Sequence, residues 1–65
     1  MKSNFGDNLK LLRQEKNISQ VAIANLCNTT VATVSRWENY VNEPDINTLI
    51  QLADFFDITL DELIR

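Results

Sequence analysis

Residues 19–38 read SQVAIANLCNTTVATVSRWE, and this stretch decides the fold. Ser19 is a strong N-cap for a helix from Gln20 to Cys27, because its hydroxyl accepts a hydrogen bond from a backbone N–H in the first turn. Thr30 caps a second helix in the same way, from Val31 to about Asn39. The connection between them is residues 28–30. Two short helices joined so closely predict a helix-turn-helix motif.

The second of these helices has an outward face of unusual composition. A solvated face normally favours Lys, Glu and Gln, but this one carries short side chains, one Arg and one amide. The set is Val31, Ala32, Ser35, Arg36 and Asn39. In a DNA major groove, Arg donates a bidentate pair to guanine, and small apolar side chains contact a thymine methyl. Periodicity alone favours the alternative that these are tolerated surface residues.

Helical spacing continues on both sides of this stretch. A first helix is predicted from Phe5 to Lys16, with Asn4 as its N-cap. Asp45 caps a fourth helix, and Thr59 with Glu62 has the spacing of a capping box that opens a short fifth. The fourth helix carries an apolar stripe of Ile46, Leu49, Ile50, Ala53 and Phe56. No strand alternation appears, so the chain is predicted to be all-α, a compact five-helix single domain spanning residues 1–65.

The composition limits the chemistry available to the chain. It has 65 residues, no His and one Cys, which excludes an internal disulfide and removes the commonest metal ligand and general base. We therefore expect no metal, no cofactor, no small-molecule site and no enzymatic activity. The acidic side chains that end the chain fit helix caps and a solvated face better than a catalytic set. These are Asp54, Asp57, Asp61 and Glu62.

Hydropathy gives no sign of a membrane or export segment. The longest purely apolar run, residues 21–24, is far short of the ~20 residues needed to span a bilayer. Residues 1–4 lead into no apolar signal region. We expect a cytoplasmic protein with no membrane partner.

The net charge of −3 argues against nucleic acid at face value, but the charge is unevenly distributed. Residues 1–42 carry five basic and three acidic side chains, a net +2. Residues 43–65 carry one basic and six acidic side chains, a net −5. The acidic excess lies beyond the predicted helix-turn-helix, so net charge does not exclude DNA.

The pattern SQxxIAxxCNTTxxTVSRWE over residues 19–38 resembles the phage repressor and Cro-type (Xre-like) family of helix-turn-helix regulators. The resemblance extends upstream to Leu9, Leu12 and Arg13. Downstream it runs through the segments 44–53 and 60–63, so it covers nearly the whole chain. It implies a prokaryotic or phage transcription regulator, a repressor by type, that binds a palindromic double-stranded DNA operator as a homodimer.

The resemblance also implies a role for each matching residue. Gln20 would bond a phosphate, and Thr30 would cap the recognition helix and contact the DNA backbone. The base-reading positions would be Val31, Ala32, Ser35 and Arg36. Asn39 would touch a phosphate after the recognition helix. Arg13 and Glu38 would form a partly buried ion pair between the first and third helices.

At four helix ends this family commonly carries glycine, and this chain has another residue. The four are Asn17, Asn28, Tyr40 and Asp57. Asn and Asp tolerate a left-handed backbone, but Tyr does so only at a cost. The end of the third helix is therefore expected to be remodelled, with the Tyr40 ring packed on the domain edge.

The loop at residues 40–43 lacks the Lys and Arg with which this family grips phosphates. We expect weak binding by one domain, a shallow salt dependence, and dimerisation through the fourth and fifth helices. The alternative is a protein-interaction module that keeps the fold with little or no DNA binding. Extra apolar residues favour that alternative, although edge packing explains each of them singly. They include Leu11, Val21, Ala22, Leu26 and Phe55.

Overall fold

The computed structural model describes residues 4–65, and within that range the chain forms five α-helices and no strand. Residues 1–3, which the predicted single domain includes, lie outside the described residues. The helices are α1 (Phe5–Lys16), α2 (Gln20–Leu26), α3 (Val31–Glu38), α4 (Ile46–Phe55) and α5 (Leu60–Ile64). The all-α prediction is confirmed, with Cys27 and Asn39 standing as C-caps instead of last helical residues.

Side-chain caps start four of the helices where the sequence predicts them. Ser19, Thr30, Asp45 and Thr59 each accept a hydrogen bond from the backbone N–H three residues later. Thr59 and Glu62 complete a reciprocal capping box. Asn4 stands at the N-cap of α1 but makes no side-chain cap. Its backbone N–H instead donates to the carbonyl of Ile64 at 2.9 Å, which ties the start of α1 to the end of α5.

Four helix ends turn through a left-handed residue, and the expected remodelling at Tyr40 does not occur. The φ angles are 55° at Asn17, 55° at Asn28, 64° at Tyr40 and 57° at Asp57. After Tyr40, the N–H of Val41 donates to the carbonyl five residues back, in α3, at 3.0 Å, and the other three turns close with the same bond. The turn therefore forms although a left-handed Tyr costs about 1–2 kcal/mol.

One core lies between the helices. Its fully buried side chains are Phe5, Leu9, Ile23, Val34, Leu52 and Leu63. Trp37 is also buried and meets the Phe5 ring edge-on, with 6.2 Å between centroids. This contact fixes α1 against α3, the helix that carries the candidate site.

The predicted stripe of α4 is partly wrong. Leu49, Ala53 and Phe56 are buried, but Ile46 and Ile50 are 56% and 44% exposed. Leu52, which the predicted stripe omits, is fully buried instead. The core therefore meets α4 on the arc that carries Leu49, Leu52, Ala53 and Phe56, and α4 also packs against α5. Ile46 and Ile50 are left as an aliphatic pair one turn apart on the surface.

Gly6 brings the backbone of α1 close to the end of α3. A Cβ at this position would lie 2.6 Å from the carbonyl oxygen of Trp37, so Gly6→Ala requires a backbone shift. We expect this substitution to lower the free energy of unfolding by about 1–3 kcal/mol, the usual cost of overpacking. Urea unfolding checks it, with Gln14→Ala on the exposed face of α1 as control. Equal stability of the two variants would contradict the close approach.

Candidate nucleic-acid interface

The turn between α2 and α3 holds the two helices in a fixed relation. Asn28 takes the left-handed conformation, and the Thr29 N–H donates to the carbonyl of Ala24 at 2.8 Å. Thr30 then caps α3 through its hydroxyl, which accepts from the Thr33 N–H at 3.2 Å. Ile23 from α2 and Val34 from α3 are both fully buried in the shared core. The geometry is that of a helix-turn-helix.

The predicted outward face of α3 is the solvent-facing one. Val34 and Trp37 point into the core. On the opposite arc Ser35 is half-buried and the other side chains are exposed. The exposed ones are Val31, Ala32, Arg36 and Asn39, with Thr30 at the start of the helix. The structure thus brings six of the seven predicted DNA-contacting residues onto α3 and its caps.

A buried polar network joins α1, α2 and α3 behind this face. The Glu38 side chain is 4% exposed and accepts two hydrogen bonds from Arg13, at 2.5 Å from Nε and 2.9 Å from Nη2. Arg13 Nη1 also donates to the carbonyl of Ile18 at 3.0 Å. The hydrogen bond to Glu38 raises the pKa of Arg13. This arrangement locks the end of α3 to α1.

Gln20, the seventh predicted residue, belongs to the same network. Its Nε2 donates to Glu38 Oε1 at 3.0 Å, an interaction that sequence reasoning missed. Gln20 is half-buried at the first position of α2. An amide group has two N–H donors, so one N–H of Gln20 remains after the other binds Glu38.

Asn39 lies where the resemblance implies a phosphate contact, but its amide turns back onto α3. Nδ2 donates to the Ser35 carbonyl at 2.8 Å and to Ser35 Oγ at 3.3 Å. Sequence reasoning missed this contact too, although the spacing of four residues on one helix face is a usable signal for it.

The loop after α3 is exposed and carries no cation. Val41 is exposed, and Tyr40, whose ring is expected to pack on the domain edge, is 49% exposed. Interaction with the Asp7 carboxylate raises the pKa of the Tyr40 hydroxyl. Within residues 4–65 no group of three or more His, Cys, Asp and Glu side chains is placed to hold a metal ion. None of the helices described in that range has the length and apolarity to cross a membrane.

A family model described as helix-turn-helix matches residues 9–63. Three curated regulators are similar in sequence. AnsR of Bacillus subtilis is 38% identical over 58 residues, and YqaE of the same organism is 33% identical over 61 residues. The transcriptional activator BcrR of Enterococcus faecalis is 32% identical over 60 residues. These matches take in 89–94% of this chain but only 50%, 53% and 29% of AnsR, YqaE and BcrR respectively.

Solved structures share the fold. A transcriptional regulator from Listeria innocua superposes with a TM-score of 0.94 at 34% identity, over 98% of this chain and 60% of that one. The P22 c2 repressor, solved with a synthetic operator, gives a TM-score of 0.84 at 23% identity, over 94% and 92% of the two chains. Hydroxypropylphosphonic acid epoxidase from S. wedmorenis gives 0.81 at 27% identity, over 94% of this chain but 32% of the enzyme.

Proposed function

The chain belongs to the helix-turn-helix family, and from that premise we propose that it is a sequence-specific DNA-binding transcriptional regulator of a prokaryotic cytoplasm. The observation that carries the proposal is the outward face of α3, which presents short side chains around one exposed arginine. Such a face suits close approach to base edges in a major groove. We propose a binding domain and no catalytic role, since the likeness to the epoxidase is confined to a third of that enzyme.

The proposed interface makes two kinds of contact with DNA, one with base edges and one with phosphates. Arg36 is the proposed guanine reader, and Val31, Ala32 and Ser35 read neighbouring base edges. Gln20, Thr30 and Asn39 are the proposed phosphate contacts, which would set the register on the duplex. Arg13 and Glu38 hold the helices that carry these side chains.

Selection of bound sequences from a random duplex pool at low salt tests the proposal directly. We expect enrichment of a palindrome whose half-sites lie ~34 Å apart, one helical turn of DNA. Sedimentation of the protein with the selected duplex gives its stoichiometry. Recovery of no sequence above background would overturn the proposal and favour a protein-interaction role on the same fold.

We expect a shallow salt dependence for one domain on one half-site. The loop at 40–43 adds no cation, and Arg36 is the one basic side chain of α3. Each phosphate contact contributes about −0.9 to the slope of log affinity against log salt, so we expect a slope shallower than about −5. Fluorescence anisotropy between 50 and 200 mM salt, roughly the usual range, measures it. A slope typical of about six to ten contacts would contradict the expectation.

A homodimer on the operator is the second part of the proposal, with its contact at α4 and α5. Ile46 and Ile50 form an exposed aliphatic pair on α4, and Leu60 and Ile64 of α5 are half-buried. One domain with few phosphate contacts binds DNA weakly. A second, linked copy raises the affinity for the full operator, because the second domain then binds at a high effective concentration.

The double variant Ile46→Ser/Ile50→Ser is expected to be a monomer. Its binding to the full operator is expected to weaken by about 10²-fold or more, because the avidity of two linked domains is lost. Binding to a single half-site is expected to stay unchanged. Leu11→Ser is the matched control, because Leu11 is 57% exposed on α1, a helix outside the proposed contact. Loss of the dimer with Leu11→Ser, and its persistence in the double variant, would move the contact to α1.

A further inference from the structure

A groove runs between α1 and α5, on a different arc of α1 from the one that meets α3. Phe5, Gly6 and Arg13 are the residues of α1 that approach the end of α3. Four other residues of α1, spaced three or four positions apart, share the arc that faces the groove. The groove has a volume of about 230 Å³. Its lining consists of Asn8, Leu11, Leu12 and Glu15 from α1, Ile58 from the turn before α5, and Glu62 from α5.

The apolar part of this groove comes from two separate segments of the chain. Leu12 and Ile58 are half-buried against the core, and Leu11 is exposed beside them. Asn8 Nδ2 donates to the carbonyl of Leu63 at 2.7 Å, and this hydrogen bond ties α1 to the last turn of α5. The three aliphatic side chains therefore share one surface that is already formed in the free domain.

Each side of the groove contributes one carboxylate, and no Lys or Arg lines it. Neither Glu15 nor Glu62 forms an ion pair with another residue in the range 4–65. The Thr59 N–H donates to Glu62 Oε1 at 3.0 Å, and this bond lowers the pKa of Glu62, so the carboxylate is charged at neutral pH. A carboxylate has a second oxygen that accepts hydrogen bonds, so Glu62 keeps acceptor capacity beyond its cap.

We propose that this groove docks an amphipathic basic helix of a partner protein, with an aliphatic side chain in the groove and flanking Lys or Arg side chains paired with Glu15 and Glu62. Charge complementarity selects the partner, because carboxylates on both sides of an apolar surface attract a basic segment and repel DNA phosphates. A second copy of this chain is a poorer occupant, since the chain carries a net charge of −3. The inference goes beyond the proposed DNA-binding function and does not depend on it.

The dimensions and surroundings of the groove favour a helix over other occupants. A cavity of about 150 Å³ holds benzene, whereas small-molecule pockets usually measure about 300–1,000 Å³, so this groove suits one protruding side chain. Among residues 4–65 there is no strand whose edge an extended peptide could join. The lining contains no aromatic side chain of the kind that binds proline-rich segments. A helix laid in a groove is the recognition mode that fits the rest.

The groove shares no residue with the proposed DNA interface on α3 and its caps. Operator binding therefore leaves the groove open, and we expect the domain to bind DNA and a basic helix at the same time. This arrangement would let a DNA-bound domain recruit a second protein.

A synthetic helical peptide of about 18 residues is the probe, with leucines along one face and lysines on both sides of them. We expect it to shift the NMR signals of backbone amides that line the groove, and anisotropy of the labelled peptide gives its Kd. Replacement of its leucines by alanine, or of its lysines by glutamate, is expected to weaken binding by about tenfold or more.

Two sets of variants of the domain test the two parts of the contact. Leu11→Ser is expected to weaken peptide binding by about 5- to 10-fold, because part of the aliphatic contact is lost. Val21→Ser is the matched control, since Val21 is 54% exposed on α2 and does not line the groove. Both substitutions replace an exposed aliphatic side chain, so a general effect on solubility or folding would appear in both.

Glu15→Gln combined with Glu62→Gln is expected to weaken binding by about 2- to 10-fold at low salt. Glutamine preserves the capping box at Thr59, so the fold of α5 is retained. The difference is expected to vanish at about 1 M salt, where charges are screened beyond about 3 Å. Asp54→Asn, an exposed site on α4 outside the groove, is the control for a general effect of acidic charge.

The inference is overturned if the peptide fails to bind, or if the control variants weaken it as much as the groove variants do. Displacement of the peptide by the selected operator would place it on the DNA-binding face and would equally overturn the inference. A chain that binds the peptide in the groove but selects no operator would refute the proposed function and leave the docking site standing.

Discussion

Substitution of Arg13 by methionine is expected to lower the free energy of unfolding by about 3–5 kcal/mol, the cost of leaving a buried charge without its partner. The Glu38 side chain is 4% exposed, and Arg13 supplies two of the three hydrogen bonds that hold its carboxylate. A native domain is stable by only about 0.05–0.15 kcal/mol per residue. The loss therefore removes a large share of the stability of this chain.

Urea unfolding followed by fluorescence measures this loss, because Trp37 is the sole tryptophan and is buried beside the network. Lys16→Met, on the exposed end of the same helix, is the control and is expected to change little. Adding Glu38→Leu to Arg13→Met is expected to recover part of the stability, since an apolar pair often replaces a buried ion pair without loss. A single variant as stable as the control, or a double variant no better than the single, would refute the account.

Arg36→Ala is expected to weaken binding to the selected operator by about 1–3 kcal/mol, roughly 5- to 150-fold, and to relax the preference at one base position. Arg36 is exposed on α3, so the substitution leaves the core intact and the stability nearly unchanged. Guanidinium has a planar pair of donors that matches guanine O6 and N7, and alanine leaves both acceptors without a protein partner.

Two controls separate base reading by Arg36 from simple charge. Lys10→Ala removes an exposed cation from α1 and is expected to weaken all operator variants by the same small factor. Arg36→Lys keeps the charge but loses the bidentate geometry, so it is expected to retain affinity better than preference. Anisotropy titrations at one fixed salt concentration compare all of them. An Arg36→Ala profile identical to that of Lys10→Ala would remove Arg36 from the base-reading set.

The helix starts were predictable because their chemistry is local. Ser19, Thr30 and Thr59 bond to backbone groups three residues away, so the sequence alone contains both partners. The rotation of α4 was not predictable in the same way. Its apolar residues are compatible with two inward arcs, and the packing of the whole core decides that Leu52 is buried while Ile50 is exposed.

The candidate site, like the fold, could be predicted from the sequence only in part. Periodicity predicts which arc of α3 faces outward, but it contains no information on where polar side chains of different helices meet. The bond from Gln20 to Glu38 depends on the angle between α2 and α3, and this angle is set by the whole core. The turn at Tyr40 was mispredicted because the prediction rested on the cost of a left-handed Tyr alone and left out the bond from the Val41 N–H to the Arg36 carbonyl that closes the turn.

The left-handed turns have a consequence for how this domain tolerates mutation. Glycine adopts that conformation without the penalty that Tyr40 and Asp57 bear, about 1–2 kcal/mol for an ordinary side chain and less for Asp. The domain is therefore less stable than its fold permits. Single substitutions at these turns, outside the recognition helix, can raise its free energy of unfolding. A glycine substitution at one of these turns is therefore expected to compensate for a destabilising change on the face of α3.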